Sequence, residues 1–303
     1  MGIDSYPIGA ALITLVTALS VGGLLVVRKR CRPDELRKCH EVGGYLLSVI
    51  GTMYAVLLGL VVVDSMTKFQ QARNVVEAEA NCLADVFMLS ERFPAAKAKK
   101  VQELCNFYCN QLIEKEWPAM TKGHIALPAR RAAIRLIHEV TDFEPTTENE
   151  KAIYPLLVQE ACQLWDNRRA RTNIAQYGVP NIEWTVLIIG GVVTVVFTYF
   201  FGLESLGAQI VMTSMVSLLI SLNLYLVVLF GAPFSGDLSV GEGAFKVDKL
   251  IFENQLGYRH DLDLDNSLFM HPDPHKKAQE ITQLNTDRKK IENIDGAATT
   301  YRK

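Results

Sequence analysis

Residues 43–63 read GGYLLSVIGTMYAVLLGLVVV, and residues 64–93 continue as DSMTKFQQARNVVEAEANCLADVFMLSERF. The first stretch carries no charge and is long enough to cross a hydrocarbon core of about 30 Å, which takes about 20 helical residues. The second contains neither Pro nor Gly, and Phe69, Ala72, Val76, Leu83 and Phe87 recur close to helical spacing. A membrane span that runs on into water as the same helix is therefore expected, from about residue 45 to residue 92. At 1.5 Å per residue such a helix is roughly 70 Å long.

Three further runs have the composition of spans. Pro7 to Val27 is free of charge and ends in Arg28-Lys29-Arg30. A cleaved signal peptide carries its basic residues before the apolar run, so this segment reads as a retained anchor. Ile182 to Leu203 carries Trp184 and Tyr199 for interfacial belts, and Gln209 to Phe230 follows after a very short connection, as a tight hairpin. The expected class is an all-α, multi-pass protein of the cell (inner) membrane. It comprises a first transmembrane pair (7–63), a soluble helical domain continuous with the second span (64–181), a second hairpin (182–232) and a polar extension (233–303), largely disordered after about residue 270. The first loop carries Arg28, Lys29, Arg30, Arg32, Arg37 and Lys38, whereas the last has no Lys or Arg. The positive-inside rule then puts the first loop in the cytoplasm and the amino terminus, soluble domain and tail on the opposite side.

Within the soluble part, Pro94 separates the long helix from one expected over Ala95–Glu116, closed by Trp117-Pro118. Pro128 opens a third helix at its favoured first-turn position, and Glu144-Pro145 ends it. A fourth covers Glu148 to Tyr177, before Gly178-Val179-Pro180. Ala244 to Asn254 has the mixed character of a short helix packed on the domain, and a loosely attached helix is expected around Lys276 to Glu292.

The net charge is −2, which gives no basic field for nucleic acid. No GxSxG, HExxH, phosphate-loop or dinucleotide motif occurs, and all six histidines lie outside the spans. Six cysteines fit no zinc or redox spacing; Cys105 and Cys109, one turn apart, read as packing residues. Asp64 and Glu204 mark membrane boundaries. No enzyme, metal or cofactor is expected. What the spans do carry is small and polar residues. Gly44, Ser48, Gly51, Ala55 and Gly59 form one stripe of the second span, with Thr52 beside it. In the last span Ser214, Ser217 and Ser221 form a hydroxyl stripe, with Asn223 at membrane depth. Such stripes either let another helix pack closely or line a water-filled pore on an oligomer axis.

Several blocks resemble the bestrophin-like family of bacterial membrane proteins. They are Tyr54-Ala55-Val56-Leu57-Leu58-Gly59, Val61-Val62-Val63, then Phe69, Ala72 and Glu79-Ala80. Glu116-Trp117-Pro118-Ala119-Met120, Tyr199 to Glu204 and Pro233-Phe234-Ser235-Gly236 follow in the family's order. Together they cover roughly residues 10 to 254. The resemblance implies a distant relation to bestrophins, pentameric anion channels with four spans per subunit, whose second span lines the pore and whose helical domain is cytoplasmic. The chain has no counterpart of the bestrophin aromatic neck motif or acidic calcium clasp. The function expected is a homo-oligomeric channel in the lipid bilayer passing an inorganic anion; the alternative is a non-conducting oligomeric scaffold or sensor whose soluble domain binds a partner or ligand.

Overall fold

Each apolar run and each Pro-bounded segment forms a helix in the computed structural model, which describes residues 4–30, 40–124, 126–201, 203 and 205–270. The basic residues at 32, 37 and 38, Glu204 and the helix expected around 276–292 lie outside the described residues. The helices are α1 (Tyr6–Arg30), α2 (His40–Leu89), α3 (Ala95–Gln111), α4 (Trp117–Met120) and α5 (Leu127–Thr141). They continue as α6 (Glu148–Gln176), α7 (Asn181–Tyr199), α8 (Leu206–Gly231) and α9 (Gly243–Met270). Among the described residues there is no strand, and four helices (α1, α2, α7 and α8) are long and apolar enough to cross a membrane.

Helix α2 is one continuous element of 50 residues, about 75 Å of rise. It tightens into a 3₁₀ turn over Ser90–Arg92, after which Phe93 is extended (ψ 166°). Pro94 requires this, because its ring disfavours a helical conformation in the residue before it. A break was expected at Trp117-Pro118, but the helical path runs on to Met120. The turn Leu112–Glu116 widens to a π-turn, with the Trp117 N–H bonded to the Leu112 carbonyl. Widening relieves the clash between a proline ring and the carbonyl four residues back, so Pro118 redirects the helix without ending it. Helix α6 starts on a complete capping box: Thr147 Oγ1 accepts from Glu150 N (3.2 Å), and Glu150 Oε2 accepts from Thr147 N (3.1 Å). Helix α9 runs well past the short segment anticipated from the sequence.

In the membrane layer, Tyr54, Leu58 and Val61 of α2 pack with Leu187 of α7 and Val227 of α8. Helices this close need small residues opposite large ones. A Cβ on Gly190 would lie 2.5 Å from the Tyr54 ring, and one on Gly9 would lie 2.1 Å from Tyr225. Two phenols at this depth find partners inside the bundle: Tyr54 donates to the Leu187 carbonyl (3.0 Å), and Tyr199 to the Ser20 carbonyl (2.8 Å).

Contacts at the helix ends give the relative sidedness. At one face the Tyr6 N–H donates to Asp237 Oδ2 (2.8 Å) and the Asp237 N–H to the Asp4 carbonyl (3.3 Å). At the other, Arg28 donates to Gln209 Oε1 (2.8 Å) and the Leu203 carbonyl (2.9 Å). The start of α1 and the end of α8 therefore share a side. The Phe69 and Phe230 rings meet there at 5.6 Å, where α2 leaves the bundle for the soluble domain. Outside the membrane layer, α2 packs along α6 and α3 over Val76, Leu83, Phe87, Tyr108, Leu157 and Leu164, all buried. Residues 1–249 form one compact unit, and α9 from Leu250 onward belongs to a second.

Candidate functional site

Helix α2 has two different faces along its membrane half, and their assignment follows from the helical repeat. Tyr54, Leu58 and Val61 are buried against other spans of the same chain, and Ser65 on the same face is also buried. The small residues point about 100° away from that face at 3.6 residues per turn. Ser48, Thr52, Ala55 and Gly59 are exposed in the protomer. Among the described residues nothing comes within 4 Å of a Cβ placed on Gly51 or Gly59, and Gly44 has only the Phe201 ring at 3.9 Å. Thr52 Oγ1 turns back onto the Ser48 carbonyl (2.7 Å), leaving a smooth surface. Next to this stripe, Leu46, Val49, Met53, Val56 and Leu60 form a bulky apolar face that is also exposed.

The hydroxyl stripe of α8 sits differently. Ser217 is buried and hydrogen-bonded to Ser20 of α1 (2.8 Å), and Ser221 is buried on the same face. Ser214 donates to the Ile210 carbonyl (2.7 Å), and Asn223 Nδ2 to the Leu219 carbonyl (2.9 Å). Beside Ser217 and Ser221, a groove of about 510 Å³ opens between α1, α7 and α8, walled by Leu12, Ile188, Val192 and Leu224. The two stripes thus do not converge on one site: one lies outside the bundle, the other between its helices.

The second feature is a buried ionic clasp in the soluble domain. Arg171 of α6 is fully buried and donates Nε to Glu79 Oε2 (2.6 Å) and Nη2 to Glu79 Oε1 (3.1 Å). Nη2 also donates to Glu116 Oε1 (2.7 Å), and Glu116 Oε2 accepts from Arg168 Nη2 (2.5 Å). Tyr108 donates its hydroxyl to Glu79 Oε1. Two carboxylates and two guanidinium groups thus balance in a site without water access, which burial demands. Burial works against the Arg171 charge, but Glu79, Tyr108 and Glu116 outweigh it and hold its pKa above the ordinary arginine value. Burial first, then the Glu79 charge, push the Tyr108 phenol well above its usual range. The clasp fastens α2 to α3, the π-turn and α6, and the π-turn is what carries Glu116.

Trp117 stacks over the Arg171 guanidinium at 5.3 Å and meets the Phe234 ring at 6.0 Å. Phe234 begins the turn after α8, where Pro233 accepts from Val240 N (2.8 Å) and Gly236 adopts φ 77°. A Cβ on Gly236 would sit 2.6 Å from Asp4, so glycine is needed both for the left-handed backbone and for that approach. Glu79, Glu116, Trp117, Pro118, Phe234 and Gly236, scattered in sequence, form one connected region at the membrane-proximal end of the domain. Tyr54 stands apart, inside the bundle. Arg168, Arg171 and Tyr108 carry no motif signal. Their signal is register: Leu157, Ala161, Leu164, Arg168 and Arg171 follow spacings of four, three, four and three, so the arginines fall on the apolar face of α6.

A Bestrophin-like domain model matches residues 14–245, about three quarters of the chain. The chain belongs to the bestrophin-like family. Among solved structures it is similar to a variant of a bacterial bestrophin homolog from Klebsiella pneumoniae, with 15% identity and a TM-score of 0.58, covering 81% of this chain and 99% of that one. Another structure of the Klebsiella homolog matches with 15% identity and a TM-score of 0.56, over 81% and 98% of the two chains. A structure described as a membrane protein variant has 14% identity and a TM-score of 0.57, over 80% and 97%. At these identities the likeness carries the fold. No curated protein matches the chain. Like the Klebsiella homolog, this bestrophin-like protein devotes most of its length to one fold, and residues beyond 245 lie outside the matched domain.

Proposed function

We propose that this bestrophin-like protein assembles as a homo-oligomer, a pentamer by family likeness, in which the small-residue face of α2 surrounds an axial pore for inorganic anions. The observation that carries this reading is that, on the stripe Gly44, Ser48, Gly51, Thr52, Ala55 and Gly59, the residues Ser48, Thr52, Ala55 and Gly59 are exposed, and no other described residue comes within 4 Å of a Cβ on Gly51 or Gly59. A glycine-rich face in a span weakens the helix unless something approaches it or must pass it. The neighbouring bulky face, Leu46 to Leu60, then meets lipid or the next subunit. Glycine and hydroxyl groups give a wide, weakly binding lining, so a permeating anion would not be trapped by fixed charge at membrane depth. The ionic clasp anchors the continuation of α2 to the rest of the soluble domain, so the domain sets where the span stands. Chloride efflux from proteoliposomes tests this. A flux proportional to protein, and absent from empty vesicles, is expected; vesicles loaded with assembled protein that hold their chloride would refute conduction.

A further inference from the structure

The first turns of α9 rest on the soluble domain through Phe245 and Asp248, among others. Phe245 is fully buried, meets Trp117 at 5.9 Å, and its carbonyl accepts from the Cys109 thiol (3.1 Å). One turn further, Asp248 is 7% exposed, and its Oδ2 has no hydrogen-bond partner among the described residues. Two titratable groups act on it, the Cys105 thiol of α3 and the Asp85 carboxylate of α2. Neither is a cation, and Lys246, one turn before Lys249, pairs with Glu242 (2.7 Å). A buried carboxylate without a positive partner resolves its desolvation by keeping its proton.

We propose that Asp248 is a proton-operated latch: in its neutral form it seats the start of α9 on α2 and α3, and its ionisation loosens that seat. Burial first, then the Asp85 charge, push the Asp248 carboxyl up from 3.8 to about 7. Burial, with Cys109 and Asp248, pushes the Cys105 thiol well above its ordinary value, so that thiol stays neutral across this range. The seated helix therefore binds a proton more tightly than the released one. Its docking is strongest below about pH 4, weakens as pH rises toward 7, and levels off above that. Between pH 6 and pH 8 the docking constant falls about tenfold. This inference does not depend on conduction.

Hydrogen exchange of the full-length protein in detergent tests it, following a peptide spanning residues 243–249 at pH 6 and pH 8, with each rate divided by the intrinsic rate at that pH. In the wild type, protection is expected to fall about tenfold from pH 6 to pH 8. Asp248→Asn keeps the shape without the titration, and should show equal protection at both values, no lower than the wild type at pH 6. Asp85→Asn should shrink the fall. Wild-type protection that is the same at both values would overturn the latch. So would an Asp248→Asn protein that tracks the wild type, or one unprotected at both values.

Discussion

Replacing Arg171 with Met tests whether the soluble domain is held together by its buried charges. The side chain is fully buried and makes two hydrogen bonds to Glu79 and one to Glu116. Met approximates its stem but removes the guanidinium, leaving Glu79 with the Tyr108 hydroxyl and Glu116 with Arg168 alone. A site with two carboxylates and two guanidinium groups becomes one with an excess negative charge out of reach of water. Breaking a buried pair in this way costs about 3–5 kcal/mol. For a cooperative unit of this size each kcal/mol is worth about 2–4 °C, so melting should fall by roughly 6–20 °C. Tryptophan fluorescence of the detergent-purified protein is a suitable assay, since Trp117 lies over the Arg171 guanidinium and Trp165 over that of Arg168. The double variant Glu79→Gln with Arg171→Met removes one charge of each sign and should cost clearly less than the two single changes together, by about 0.5–3 kcal/mol. An Arg171→Met protein that melts within a few degrees of the wild type, or a strictly additive double variant, would refute the clasp as a charge-balanced anchor.

Other residues yield separate expectations. Gly190→Val drives a side chain into the Tyr54 ring, 2.5 Å from where its Cβ would stand, and should destabilise the protomer by about 1–3 kcal/mol or more in thermal melts. A Cβ on Gly59 meets nothing within 4 Å among the described residues, so Gly59→Val should leave protomer melting nearly unchanged while altering oligomer size on a sizing column or chloride flux. Tyr54→Phe removes the hydroxyl bond to the Leu187 carbonyl and should cost about 0.5–1.5 kcal/mol in the same melts. Pro118→Ala would gain about 3 kcal/mol in an ordinary helix interior; here the π-turn that aims Glu116 depends on it, so melting should not rise.

Much of this fold is legible in the sequence because lipid imposes strong rules. A charge-free run such as residues 43–63 has few options in hydrocarbon other than a helix, and the absence of Pro and Gly in 64–93 carries that helix into water. The site is legible only in part. The α2 stripe is plain in the spacing of Gly44 to Gly59, but spacing cannot say whether a partner helix fills it, and only the packed bundle leaves it uncovered. The α8 serines look equivalent in sequence, yet Ser217 is consumed by Ser20 of α1, a contact between residues 197 positions apart. Arg168 and Arg171 read as ordinary surface cations unless their place in the apolar register of α6 is noticed. Pro118 signals a helix end by local rules, and the π-turn that absorbs it is a tertiary solution, since it delivers Glu116 to Arg171.

The most direct measurement is single-channel current through the reconstituted oligomer carrying Ala55→Cys or Met53→Cys, before and after a small charged thiol reagent. These two neighbouring positions lie on the small-residue face and the bulky apolar face of α2, respectively. A pore along the small-residue face predicts an anion current that the reagent blocks or strongly reduces in Ala55→Cys and leaves unchanged in Met53→Cys. No current, or a block at residue 53 with none at residue 55, would contradict it.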